Sequence, residues 1–140
     1  MGRFTTAALV AGGIFAASFS TAGAATYSLF ELVPLSSGIS TAGAINDSGV
    51  VAGQSSSTAT AWDGSSTTAL NPLSGYIRSD ARAINDSGVL VGRSYCCGSG
   101  TEWTATLWDG STTTALNPLT GGTRSIAQAI NDSGVVAGFS

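Results

Sequence analysis

The stretch Ala83-Ile84-Asn85-Asp86-Ser87-Gly88-Val89 decides how this chain is read. The same letters, A-I-N-D-S-G-V, stand again at 44–50 and at 129–135. A second pair of near-copies lies between them: T-A-T-A-W-D-G-S at 58–65 and T-A-T-L-W-D-G-S at 104–111. A chain that repeats itself at this spacing builds its fold from one unit copied along its length.

The unit reads as four short strands. Before the central motif, Ala81 and Ala83 alternate with other residues, as do Ala42/Ala44 and Ala127/Ala129. Period two places alternate side chains on one face of a strand, and alanine there lets a neighbouring sheet come close. Asn85-Asp86-Ser87-Gly88 then combines turn-starting residues with a glycine that tolerates a left-handed backbone. This predicts a hairpin with a type I turn and a glycine bulge. Val89-Leu90-Val91-Gly92 is the return strand, and its unbroken apolar run implies cover on both faces. Gly53, Gly92 and Gly138 share one place in the unit, where a backbone is expected to pass close by. Thr58–Trp62 and Thr104–Trp108 form the third strand, with Asp63-Gly64 and Asp109-Gly110 as two-residue turn signals. Thr67–Leu70 and Thr113–Leu116 form the fourth, ended by Asn71-Pro72 and Asn117-Pro118, since proline has no N–H for a ladder.

The copies are not evenly spaced. Ile45 and Ile84 are 39 residues apart, Ile84 and Ile130 are 46 apart, and each Trp precedes the next Ile by 22. The whole difference falls between the second and third strands, in the segment Ser94 to Trp103. Repeat insertions collect in loops on one face, so this segment is expected to project.

The fold class that follows is all-β, with antiparallel four-stranded repeats. The units are about 41–80, 81–125 and an incomplete copy at 126–140. Tyr27 to Leu35 reads as a lone fourth strand ending at Pro34. A period near 40 to 45 with four strands in up-and-down order is that of a propeller blade, and closed propellers use about four to eight. The copies present amount to a partial β-propeller, read here as a truncated piece of a longer array.

Residues 1–24 read as a signal peptide. Arg3 supplies a positive start, Phe4 to Phe19 is small and apolar, and Ala22-Gly23-Ala24 fits a cleavage site. The repeat array then occupies 25–140, and the protein is expected to be exported to the periplasm, the cell surface or the medium. No later run approaches the roughly 20 apolar residues of a membrane span. The chain has five basic residues, all arginine, against eight acidic ones, and no histidine. Nucleic-acid binding depends on many basic contacts, so a nucleic-acid partner is not expected.

These residues resemble the bacterial extracellular HAF repeat family. Its pattern runs roughly A-x-A-I-N-x-x-G-x-V-V-G, then H-A-F-L-W, then a glycine and a short strand ending in leucine. The first half is matched at 42–53, 81–92 and 127–138. The second is matched in part by Ala59 with Trp62 and by Ala105 with Trp108. The namesake His is Thr58 and Thr104 here, and the Phe is Thr60 and Thr106. The resemblance implies exported bacterial proteins with propeller-like arrays. It carries no catalytic residue.

Candidate chemistry is sparse. Asp47, Asp86 and Asp132 recur at turns, as do Asp63 and Asp109. One carboxylate per turn is far from the six or more oxygen ligands of a Ca²⁺ site, so these read as turn formers, with no metal and no other cofactor expected. Asn46, Asn85 and Asn131 each open an N-x-S glycosylation pattern, but inside tight turns. Trp62 and Trp108 hold a constant register and read as core. The W-D dipeptides evoke WD40 propellers, but the Gly-His signature of that family is missing. Enzyme classes built on a Ser, His and Asp triad are closed to a chain without histidine, and no unrepeated carboxylate pair is evident. The chain is therefore read as not an enzyme.

The insert is the place for a partner. Tyr95, Glu102 and Trp103 are the candidate contact residues, having no aromatic counterpart in the first copy. Cys96 and Cys97 are adjacent, and export favours oxidation. A vicinal disulfide that stiffens the loop is the leading reading, against free or intermolecular thiols. The functional expectation is a non-catalytic exported scaffold or interaction protein contacting a protein or a glycan. The runner-up is a carbohydrate-binding module of the cell surface, followed by a fragment of a propeller hydrolase. Unpaired sheet edges also offer a route to self-association.

Overall fold

A computed structural model of the chain describes residues 27–29, 31–96 and 102–140. Residues 1–24, read from sequence as a signal peptide, lie outside them. The chain divides into Met1–Glu31 and Leu32–Ser140. In the first unit Tyr27, Ser28 and Leu29 are not in a strand. The second holds ten strands, and among the described residues there is no helix.

The strands form three antiparallel sheets in meander order. The first sheet is β1 (Ser40–Ile45), β2 (Val51–Ser55), β3 (Thr58–Trp62) and β4 (Thr67–Leu70). The second is β5 (Arg78–Ile84), β6 (Leu90–Tyr95), β7 (Trp103–Asp109) and β8 (Thr112–Leu116). The third pairs β9 (Ile126–Ile130) with β10 (Val136–Phe139). The third and fourth strands lie where the sequence places them to within a residue, whereas β5 begins at Arg78, three residues before the unit boundary expected at 80/81.

The central motif closes its hairpin as its residues dictate. Gly88 N–H donates to the Asn85 carbonyl at 3.0 Å, Asn85 N–H to Val89 O at 3.1 Å, and Gly88 adopts φ of 81°. That is a turn closed by a left-handed glycine, and it recurs at Gly49 and Gly134. The Asn85 side chain adds a bond, accepting from Val89 N–H at 2.9 Å.

The strand before the turn is less regular than alternation suggests. Its pairing skips one residue between Ala81 and Ala83, and likewise between Ala42 and Ala44. The third sheet slips at the same place, opposite Ala127 and Ala129. The skipped residues are Gly43, Arg82 and Gln128. A bulge bends the strand and re-aims one side chain. The same irregularity accounts for the glycines of the return strand: a Cβ on Gly53, Gly92 or Gly138 would overlap the carbonyl oxygen of Thr41, Asp80 or Ile126 across the bulge.

Two expectations from local pattern are corrected. The stretch Tyr27 to Leu35 is not a fourth strand in its described residues, because no neighbouring strand is there to share a ladder. Its end takes the place of the post-strand segments instead. Val33 O accepts from Trp62 Nε1 at 2.8 Å, as Asn71 O accepts from Trp108 Nε1 at 2.7 Å. Leu35 N–H donates to Ser55 Oγ at 3.0 Å, as Leu73 does to Ser94 and Leu119 to Ser140. The two-residue turn after β7 is Gly110-Ser111 rather than Asp109-Gly110, since Asp109 still pairs with Thr112. After β3 the link is longer, and Asp63 folds back to accept from Ser65 and Ser66.

Successive sheets pack through their first strands. β5 lies against β2 and β3 of the first sheet, and β9 against β6 and β7 of the second. Small residues allow this approach: Ala52, Ala59, Ala81, Ala105 and Ala127 are buried there. Trp62 and Trp108 close the core at 2 % and 1 % exposure. The contact is pinned by buried serines. Ser79 Oγ accepts from Ala59 N–H at 2.9 Å and donates to Leu70 O at 3.2 Å. Ser125 does the same for Ala105 and Leu116, at 2.9 Å each. Each hydroxyl satisfies a donor and an acceptor of the preceding sheet, which a buried interface otherwise leaves unpaired.

Neighbouring sheets decide burial. Ile84 is 8 % exposed beneath the first sheet, whereas its counterpart Ile45, with no earlier sheet among the described residues, is 61 % exposed.

Candidate contact surface

The second-to-third strand connection differs between the first two sheets. In the first sheet it is a two-residue turn, Ser56-Ser57, with Ser55 paired to Thr58. In the second, Tyr95 and Trp103 hold those two positions and the insert 96–102 runs between them. Tyr95 pairs with Trp103 across β6 and β7. The insert opens at the far ends of two interior strands, so the aromatic pair sits on a fully hydrogen-bonded platform. Cys97 and residues 98–101 lie outside the described residues, and with them the vicinal disulfide.

The base of the insert is anchored on the loop before β5. Cys96 Sγ donates to Gly75 O at 3.3 Å, and Tyr76 OH bonds Thr104 Oγ1 at 2.7 Å. Glu102 is exposed, and its side chain makes no polar contact among the described residues.

Around Tyr95 and Trp103 the structure gathers charged residues that sequence reading did not single out. The Arg93 guanidinium carbon lies 4.9 Å from the Tyr95 ring centre and 4.8 Å from that of Trp103. Arg124 stands 5.3 Å from the Trp103 ring centre. Such cation–π contacts stabilise by about 0.5–2 kcal/mol each, depending on desolvation. Beneath them Asp80, only 13 % exposed, takes Arg93 Nε at 2.7 Å and Arg82 Nε at 2.8 Å, one on each oxygen. Arg82 then donates to Gln128 Oε1 at 3.1 Å, so two bulge residues of adjacent sheets meet. Tyr95 OH accepts from Gln54 Nε2 of β2 at 3.0 Å. The cluster therefore spans all three sheets.

These residues break the repeat. Counting from the shared isoleucine, Asp80, Arg82 and Arg93 correspond to Thr41, Gly43 and Gln54 in the first copy. Counting from the strand ends, Tyr95 and Trp103 correspond to Ser56 and Ser57. Arg124 alone has an arginine at its counterpart, Arg78. Where one unit is copied, residues kept in every copy build the scaffold. The departures are free to serve something else, and here they converge. Position-by-position comparison of the copies is the signal that finds the arginines. Reading each motif alone does not.

Other sequence candidates fall into structural places. Trp62 and Trp108 are buried with their Nε1–H groups bonded, so neither offers a face to a sugar. Asn46 and Asn85 use their side-chain nitrogens on the next sheet's turn, donating to Asn85 O at 3.1 Å and Asn131 O at 3.2 Å. Asp86 and Asp132 accept backbone bonds from the preceding turn. No group of three potential metal-ligating side chains occurs among the described residues, and no helix there is long and apolar enough to cross a membrane. A groove of about 380 Å³ lies beside β10, lined by Leu116, Leu119, Val136 and Phe139. Comparisons with protein-family models, with curated proteins and with solved structures find no match for this chain. The cluster is read from its own geometry.

Proposed function

We propose that this chain is a non-catalytic, exported repeat scaffold that presents one contact surface to a protein or glycan. The surface is built from Arg93, Tyr95, Trp103 and Arg124 at the mouth of the insert. One observation carries the reading: five residues that differ from their counterparts in the first copy, Asp80, Arg82, Arg93, Tyr95 and Trp103, meet at a single place on a repeated frame. Export rests on the sequence of residues 1–24.

The sheets are proposed to be blades of a propeller-like array. Two features support this: each first strand lies on the middle strands of the sheet before it, and the hairpin turns align in one row. Self-association through unpaired sheet edges, β4 and β8 among them, belongs to the same proposal.

A non-catalytic role is supported by the state of Asp80. Both its oxygens are engaged by guanidinium groups at 2.8 Å or less. Its oxygens are committed to holding those two arginines in place.

The test uses immobilised neutral and acidic polysaccharides and extracellular proteins, probed with the full chain. Two variants accompany it: Trp103→Ala, and a form with residues 95–103 replaced by Asn-Gly to rebuild a short turn. Saturable binding lost in both variants, with unchanged melting, supports the reading. Binding kept in both, binding to no member of the panel, or release of reducing ends from a polysaccharide counts against it.

A further inference from the structure

We infer that the cluster at Arg93 and Trp103 binds the carboxylates of an acidic polysaccharide. This rests on taking the cluster as the contact surface and names what that surface holds.

Charge placement is the first argument. The chain is acidic overall, at −3, with five basic residues. Arg3 lies in the signal segment, which leaves Arg78, Arg82, Arg93 and Arg124. Three of these four stand in this cluster, against the single carboxylate of Asp80 within it and Glu102 at its edge. An acidic protein that concentrates its cations in one place creates a local field of the opposite sign.

The second argument is geometry. A guanidinium has five N–H donors in a planar fork. Arg93 uses Nε on Asp80, and its plane is held beside Tyr95 and Trp103. Arg124 donates to no protein acceptor among the described residues and stands over Trp103. The rings hold the guanidinium carbons 4.8–5.3 Å from their centres, and a guanidinium carries its N–H groups along its edge. Such an edge matches a carboxylate in bidentate fashion. Asp80 takes the Nε atoms of Arg82 and Arg93, and the terminal nitrogens of Arg93, whose side chain is 20 % exposed, make no hydrogen bond among the described residues.

The third argument separates sugar from peptide. Tyr95 and Trp103 stand on β6 and β7, interior strands with partners on both sides, so the aromatic pair offers no open ladder to a peptide main chain. The surroundings are amide, phenol and guanidinium (Gln54, Gln128, Tyr95) rather than an apolar pocket for a side-chain anchor. Hydroxyl-rich rings bearing carboxylates suit such a surface. Arginine covers Trp103, so the indole serves as the backing of the cation rather than as a stacking face for the sugar.

The experiment measures affinity of the full chain for polygalacturonate, for its methyl ester and for poly-L-glutamate at low salt, with hyaluronate as a second uronate polymer. Arg93→Ala and Arg124→Ala are compared with wild type. Arg124 is exposed and makes no hydrogen bond among the described residues, so its removal leaves folding intact and thermal melting verifies this. The expected result is saturable binding of polygalacturonate, at least tenfold weaker for the methyl ester, for poly-L-glutamate and for each variant. Equal binding of the ester, with both variants still impaired, overturns the acidic ligand while leaving the contact surface. Equal binding of poly-L-glutamate overturns the sugar. Equal binding by wild type and both variants overturns the contact surface itself. No saturable binding of either uronate polymer overturns the inference.

Discussion

The backbone N–H of Asp86 donates to the carboxylate of Asp132 at 2.9 Å, across 46 residues of chain. Asp47 makes the same bond to Asp86, also at 2.9 Å, across 39. Beside them Asn46 and Asn85 pass their side-chain amides to the backbone of the next turn. The hairpin turns are therefore linked in series, each donating forward through a backbone and a side-chain group. Asp and Asn, chosen locally for turn geometry, also tie sheet to sheet.

The link should be measurable at Asn85. Its side chain is buried, donates to Asn131 O and accepts from Val89 N–H. Asn85→Ala leaves the Val89 N–H unpaired and takes one of two donors from Asn131 O, which keeps the Gly134 N–H; losing such a buried partner costs about 2 kcal/mol. Asn131 accepts from Val135 N–H but passes no bond onward among the described residues. Asn131→Ala should cost about half as much or less. Urea denaturation of the two variants checks the order; equal losses would mean that the forward bond adds nothing.

Glycine has two separate roles that substitution can tell apart. Gly88 needs its positive φ of 81°, but a Cβ there meets open space. Gly88→Ala should cost about 1–2 kcal/mol, the penalty of a left-handed backbone. At Gly92 a Cβ would overlap the Asp80 carbonyl oxygen. Backbone is hard to move, so Gly92→Ala should cost about 3 kcal/mol. Melting temperatures of both variants give the comparison, with Gly92→Ala the lower.

The turn between β2 and β3 is strained. Ser56 and Ser57 adopt φ of 50° and 74°, a pair of positive values that a two-residue hairpin demands and serine tolerates poorly. Ser57→Gly should relieve one of them. After the added freedom of glycine in the unfolded chain is deducted, a gain of about 0.5–1 kcal/mol is expected. A loss of stability in thermal unfolding would contradict the turn assignment.

Asp63 supplies a pH signature. Its carboxylate is held well below the ordinary value of 3.8, first by the Ser66 hydroxyl and then by the N–H groups of Ser65 and Ser66. A lowered folded-state pKa means that ionised Asp63 stabilises the fold above its unfolded pKa. That contribution disappears as pH falls through the folded value. Asp63→Asn should therefore unfold more readily than wild type at pH 7, with the gap narrowing steadily below about pH 4. A gap that stays constant to the lowest accessible pH would exclude the linkage.

Turns and strand types were legible because they are set by neighbouring residues. Asn85 to Gly88 specifies its hairpin wherever it occurs, and Trp108 in constant register marks the core. The bulge at Arg82 was not legible: Ala81 and Ala83 look like plain alternation, and the slip shows only against the partner strand. Tyr27 to Leu35 has strand composition, yet a strand needs a partner, and composition does not reveal one. Of the contact surface, Tyr95 and Trp103 stood out as unrepeated aromatics. Asp80, Arg82 and Arg93 looked like scattered surface charges until pairing placed them side by side. Glu102 was included for its position in the insert; it stands beside Trp103 in the chain and is exposed, with no polar contact among the described residues.

Trp103 is half-buried while Trp62 and Trp108 are enclosed, so its emission reports on the contact surface alone. The most direct measurement is tryptophan fluorescence of the full chain titrated with polygalacturonate, beside Trp103→Phe. A saturable change in wild type that vanishes in the variant is predicted. A change that survives in Trp103→Phe, or no change while the polymer binds, would contradict the account.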